Sequence, residues 1–247
     1  MAKKDDNLYD HLNQATAEMD GYEDINMQTQ AIPFIRLLQK MSPQCDETAE
    51  EYMKDAKPGL FLNSVTNELY APPLRVVVGR FQHVFLEFAP NRGPFKGTHA
   101  PELIYQQNYP RDEKSNKLYN PTTNNEYIEA YMYYVIMPDF IDDGVCIMSL
   151  SSTAIKEARR LNRMLVSTLI PNTNKKAAPY FMVWNCEPVG MKNEKGSWYG
   201  YKFSLESFVT PGLLEHTTEQ RSTMIDAKVD YSKAILTDDT QSNDTAF

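Results

Sequence analysis

LRVVVGRFQHVFLEF, Leu74–Phe88, is the longest β-type run in the chain, and its reading decides the fold. Val, Phe and Leu dominate it, and such branched or aromatic side chains suit a pleated, half-buried surface. Gly79 interrupts the run and predicts a bulge or bend, since a glycine within a strand has no side chain to pack. On its N-terminal side, GLFLNSVTNELYAPP predicts a strand, a turn at Asn67 and the start of a second strand. AIPFIRLLQKM (31–41) suits a short buried strand, with a helix as the alternative. On the C-terminal side, EYIEAYMYYVIM (126–137) reads as a strand with Tyr127, Tyr131 and Tyr133 on one face. PDFIDDG then turns into GVCIMSLSS, completing a hairpin.

Further on, Ser151 and Ser152 cap a helix, TAIKEARRLNRMLVSTLI, which Pro171 ends. YFMVWNCEPVG and SWYGYKFSLESF are two more strands, joined by the exposed tip MKNEKG. The order is therefore strands, one helix, then two strands, with no βαβ alternation. It predicts a mainly β protein: a five-stranded antiparallel barrel of the oligonucleotide-binding (OB) type, with one helix before the last hairpin. Other small one-helix β-barrels share this order. The barrel domain spans 31–210 and is flanked by a loose acidic arm, 1–30, and by a helical segment with an acidic tail, 211–247. Within the domain, 89–125 is rich in Pro, Asn, Gly and Tyr. It is too long for an idle connection, so it is a binding loop or a disordered insert.

Composition narrows the function. The chain has 247 residues and is 42% hydrophobic, enough for a real core. Cys45, Cys146 and Cys186 are far apart with no CxxC pair, which supports neither a disulfide framework nor a cysteine zinc site and points to a reducing cytoplasm. The start lacks an apolar leader and no run is long enough to span a membrane, so no membrane partner is expected. His11, His83, His99 and His216 are scattered without metal spacing. Asp139, Asp142 and Asp143 sit at a glycine turn, where adjacent acids mark a hairpin tip. No catalytic constellation emerges, so neither an enzyme nor a cofactor or metal is expected.

Charge is unevenly distributed. Residues 71–210 carry 16 Lys and Arg against 13 Asp and Glu, whereas the flanks are acidic and bring the whole chain to −8. In the helix, Ala154, Ile155, Ala158, Leu161, Leu165 and Leu169 fall in one arc at roughly 100° per residue. Lys156, Arg159, Arg160 and Arg163 fall opposite, placed to meet successive phosphates. In the last strand Tyr199, Tyr201, Phe203 and Leu205 share one face. Trp198 and Lys202 lie on the other, beside Lys192 and Lys195 of the turn. Trp184 belongs to a similar set on the preceding strand. In the long loop Tyr105, Tyr109 and Tyr119 alternate with Arg111, Lys114 and Lys117, a pattern suited to base stacking and phosphate contact. The last ten residues, DDTQSNDTAF, carry Asp238, Asp239 and Asp244 and end on Phe247. Such a tail competes with polyanions for a basic body and recruits other proteins.

The long strand, the basic helix, NEKGSWYGYKF and the tail together resemble phage single-stranded DNA-binding proteins with an OB fold and an acidic C-terminal tail. That resemblance implies sequence-independent coating of single-stranded DNA in replication and recombination. It also implies tail-mediated contact with a polymerase or primase-helicase. The tail has fewer acids than that pattern. Two other readings compete: a phage structural or assembly protein, and an acidic DNA-mimic regulator. The oligomeric state is open, a homodimer included.

Overall fold

The computed structural model describes residues 31–113, 116–194, 196–226, 229–231 and 234. The expected arm 1–30, Lys114, Lys195 and the tail with Asp238, Asp239, Asp244 and Phe247 lie outside the described residues. The strands are β1 (Ile35–Leu37), β2 (Phe61–Asn63), β3 (Leu69–Tyr70), β4 (Leu74–Phe88), β5 (Phe95–His99), β6 (Leu118–Tyr119), β7 (Glu126–Ile136), β8 (Cys146–Ser151), β9 (Met182–Asn193) and β10 (Gly196–Phe208). The helices are α1 (Pro101–Gln107), α2 (Ile155–Ser167) and α3 (Pro211–Asp226). The protein is mainly β, with one long helix before the last hairpin.

The main sheet runs β10-β9-β4-β7-β6, with β5 on β4 and β8 on β7. It curls into a half-barrel, in keeping with an OB-like class. It has seven strands where the sequence suggested five. The difference lies in the 89–125 excursion, which is neither a bare loop nor an insert without structure: it contributes β5, α1 and β6. A second sheet, β1-β2-β3, joins β8 through a parallel bridge between Phe34 and Ile147. The turn expected at Asn67 is there, with Asn67 in the left-handed region at φ 60°.

β4 holds the large sheet together because its partner changes along its length. Leu74–Val77 pair with β9, Phe85–Phe88 with β5, and Val77–Phe88 with β7. Opposite β7 the register slips between Val78 and Arg80, so Gly79 is the extra residue of a bulge. Side chains alternate strictly across a strand, so one inserted residue reverses the parity. Val76 and Val78 face the core before Gly79. Phe81, His83 and Phe85 take that same side after it, opposite Tyr133, Tyr131 and Glu129.

α2 covers this face. It buries Ile155, Ala158, Leu161 and Leu165 against Tyr131, Tyr133, Trp184 and Phe203; of the six residues of the expected arc, Ala154 falls in the preceding 3-10 turn and Leu169 lies exposed beyond the helix. Burial of each leucine stabilises the fold by about 1.5–3 kcal/mol. Tyr133 Oη donates to the carbonyl of Ala158 (3.0 Å) and Asn162 Oδ1 lies 2.9 Å from it. The helix starts later than expected. A 3-10 turn occupies Ser152–Ala154, Ser152 adopts φ 49°, and neither Ser151 nor Ala154 makes a side-chain cap hydrogen bond at the respective N-caps. It also ends earlier, at Ser167, where Thr168 Oγ1 donates to the carbonyl of Met164.

α3 packs on the opposite face of β4. Arg80 donates to the carbonyls of Met224 and Ile225 at its C-terminal end, where cations are favoured. Arg80 also lies over the Tyr134 ring, 4.8 Å from its centroid, and Arg221 over Tyr180 at 4.2 Å. Met224 is fully buried, and a Cβ at position 79 would lie 2.3 Å from its sulfur. The glycine therefore makes the bulge and admits the helix. Gly79→Ala should cost about 1–3 kcal/mol by overpacking and less in a Met224→Ala background. A urea-denaturation double-mutant cycle measures the coupling.

At the other end of β4, Glu87 Oε2 lies 2.6 Å from His99 Nε2, and Glu87 Oε1 accepts from Asn125 Nδ2 (2.6 Å) and Tyr127 Oη (3.4 Å). Burial raises this carboxyl's pKa, but hydrogen bonds from Asn125 and His99 and the His99 charge outweigh burial and hold it below its ordinary 4.5. A depressed folded pKa stabilises the native state above the unfolded value, and that contribution is lost as pH falls through the folded value. Wild type should therefore be more stable than Glu87→Gln at neutral pH. The gap should narrow steadily below about pH 4.5 in thermal melts.

Candidate nucleic-acid interface

The 89–125 excursion folds back so that its cations meet α2. Arg92, from the turn after β4, Arg111 and Lys117, which bracket the turn before β6, and Arg159 of α2 line one cleft. Phe85 and Tyr127 form its buried floor, and Ser152 and Thr153 its rim. Two local devices hold the excursion in shape. Tyr109 stacks on Tyr127 with ring centroids 5.3 Å apart and planes 10° apart. Arg111 bridges to Leu118 through the backbone and donates from its guanidinium to the Asn116 carbonyl at 3.0 Å.

The cleft is electropositive, with partial compensation. Arg159 lies 3.5 Å from Glu129 and donates to Tyr131 Oη at 3.4 Å, and Lys117 lies 3.4 Å from Glu126. The hydrogen bond to Tyr131 raises the Arg159 pKa further, and Arg159 remains 63% exposed. The long contact of the exposed Arg159 contributes about 0–1 kcal/mol, so an incoming phosphate competes with it readily. Burial pushes the Tyr127 phenol up to about 12 and raises that of Tyr105, so both stay protonated hydrogen-bond donors at neutral pH.

Beside the cleft, the face that the Gly79 bulge creates carries an aromatic row. Phe81 packs edge-on against Tyr131, His83 against Tyr131, and Tyr105 of α1 against Phe85. Phe81 is 40% exposed and Tyr105 55% exposed. His83 Nε2 is 3.0 Å from Glu129 Oε1 but too poorly aligned for a hydrogen bond. Sequence reading missed Phe81 and His83 as surface residues and left Arg92 and Lys117 within an undivided loop. The available signal was Gly79 itself, because a bulge there reassigns every later side chain of the strand.

The expected site residues separate into distinct groups. Arg159 and Arg111 share the cleft. Lys156 and Arg163 are exposed on α2, and Lys192 and Lys202 are exposed on the β9–β10 hairpin. Arg160 has another task. It pairs with Glu157 through Nε (2.7 Å) and Nη2 (2.6 Å) and donates to the Phe203 carbonyl, while Glu157 accepts the Phe203 N–H at 2.8 Å. The two side chains thus clasp β10, so Arg160 is a packing residue and not a phosphate ligand. Tyr109 is engaged by Tyr127 and cannot offer that face to a base. Trp184 is a correction outright: it is fully buried among Val76, Cys186 and Phe203, so it cannot stack a base.

Trp198 lies elsewhere. Beyond the residues paired to β4, β9 and β10 continue as a two-stranded ribbon. β1 flanks that ribbon, and Gln39 bonds both backbone groups of Tyr199, accepting its N–H at 2.8 Å and donating to its carbonyl at 3.0 Å. A second groove runs there, lined by Arg36, Lys40, Ser197, Trp198, Tyr199 and Tyr201, with Trp198 half-buried.

Among the described residues, no group of three or more His, Cys, Asp and Glu is placed to hold a metal ion, and no helix is long and apolar enough to cross a membrane. No curated protein and no solved structure matches the chain. A family model described as Pam3 phage gp34-like protein matches residues 2–230, nearly the whole length. On that match, the chain belongs to the Pam3 phage gp34-like protein family.

Proposed function

We propose that this phage-family protein binds single-stranded DNA without sequence preference and coats it during DNA replication and recombination. One observation carries the reading: cations from three separate chain segments, Arg92, Arg111 with Lys117, and Arg159, converge on one cleft next to exposed aromatic rings. Cations track phosphates and rings accept unstacked bases, a combination that favours single strands over duplex. The half-barrel sheet supports an OB-like mode of binding, in which the curved face and its loops receive the strand. The phosphate-contacting residues are the four cleft cations, with Lys156 and Arg163 alongside; Phe81 and Tyr105 are the stacking residues. The tail, with Asp238, Asp239, Asp244 and Phe247, serves replication proteins as a contact point.

A salt titration with fluorescent oligo-dT tests this directly. The four cleft cations alone, each neutralising one phosphate, give a log–log slope of roughly −3 at about −0.7 per phosphate for single strands, and Lys156 and Arg163 would steepen it to roughly −4. Arg111→Ala with Arg159→Ala should weaken binding and flatten that slope by about 1.4, with a stability loss of about 1 kcal/mol for the exposed Arg111–Asn116 hydrogen bond. Flat salt dependence in the wild type, or equal affinity for duplex, sinks the reading. Ordered multimers without DNA binding would point to a structural or assembly role.

Trp184→Ala separates core from interface. It should cost about 3–5 kcal/mol of stability and leave the salt slope of the folded protein unchanged. A variant of normal stability with reduced DNA affinity would overturn the core assignment.

A further inference from the structure

We propose that the DNA-binding surface does not end at the cleft: the strand continues over Thr153 into the groove between β1 and β10, so that one track has two segments. This rests on the single-stranded DNA reading above and names the second half of its site. Thr153, exposed on the 3-10 turn before α2, lines both the cleft and the groove, so the two depressions meet there. Their chemistry is complementary. In the cleft the cations converge over a floor whose rings, Phe85 and Tyr127, are buried and unable to stack. The groove is lined by the half-buried Trp198, by Tyr199 and Tyr201, and by Arg36 and Lys40.

The occupant follows from charge and continuity. Among the described residues no carboxylate lines the groove, whereas the protein as a whole is acidic. Lys40 is exposed, and its ammonium donates to Ser197 Oγ at 3.3 Å, a contact that a phosphate displaces easily. A ligand that is anionic along its length, carries a flat ring at each step and already occupies the adjoining cleft is the same strand of DNA. Bases leaving the cleft then stack on Trp198 while phosphates pass Lys40.

The two tryptophans make the test clean, because Trp184 is fully buried and only Trp198 can meet DNA. Oligo-dT of about 4 nucleotides should fill the cleft alone, and about 12 nucleotides should reach the groove. The longer oligonucleotide should quench tryptophan fluorescence and the shorter should not. Trp198→Ala and Lys40→Glu should each weaken binding of the longer one about tenfold or more, leaving the shorter unchanged. Lys40 is exposed, so Lys40→Glu keeps the test decisive if Trp198→Ala perturbs folding. If neither variant affects the longer oligonucleotide and no quench occurs, while Arg111→Ala with Arg159→Ala still weakens it, the groove is not part of the track. Binding of neither length by the wild type would instead remove the DNA reading itself.

Discussion

The single inserted residue at Gly79 is the constraint on which the rest of the architecture depends. It keeps Val76 and Val78 on the same side as Phe81, His83 and Phe85 along one continuous strand. Without it, parity would turn Arg80 and Gln82 to the sheet face that carries α2 and the aromatic row toward α3. The bulge also falls just past the point where β4 stops pairing with β9 and before it begins pairing with β5. One strand therefore serves two sub-sheets. Its glycine simultaneously leaves room for Met224, so the helices on both faces depend on the same position.

Much of this was legible in the sequence because the cues were local. The β4 run, the Asn67 turn, the β7–β8 and β9–β10 hairpins and the middle of the apolar arc of α2, Ile155 to Leu165, follow from periodicity and turn chemistry, and each is in place. The cap was misread because Ser-Ser before an apolar run normally marks an N-cap. Here Ser152 turns through a left-handed conformation and a 3-10 turn intervenes. The excursion 89–125 was opaque because short strands such as Leu118–Tyr119 have too few residues to show a period. Their order comes from pairing with distant partners.

The candidate interface was harder to read for a related reason. Helical spacing correctly put Arg159, Arg160 and Arg163 outside the apolar arc, but spacing cannot say which of them a neighbouring strand will claim. Arg160 went to the backbone of Phe203, and Arg159 turned toward Glu129 and Tyr131. Trp184 and Trp198 looked alike as aromatic residues of adjacent strands. Their difference is tertiary: Trp184 pairs with Val76 on the inner strand β4, whereas Trp198 stands on the part of the ribbon beyond β4. Convergence of Arg92, Arg111 and Lys117 on Arg159 required the excursion to fold back, which no linear pattern encodes.

The clasp on β10 has a consequence for how copies of this protein can meet. β10 ends the main sheet, and a terminal strand normally offers a row of unpaired amides to any other extended chain. Here the Gln39 amide occupies both backbone groups of Tyr199, and Glu157 with Arg160 occupies both of Phe203. Side chains thus imitate the missing neighbour at two points along the same border. A second molecule cannot extend this sheet without first evicting them. Strand addition along Tyr199–Phe203 is therefore disfavoured, because an incoming strand must first break both clasps.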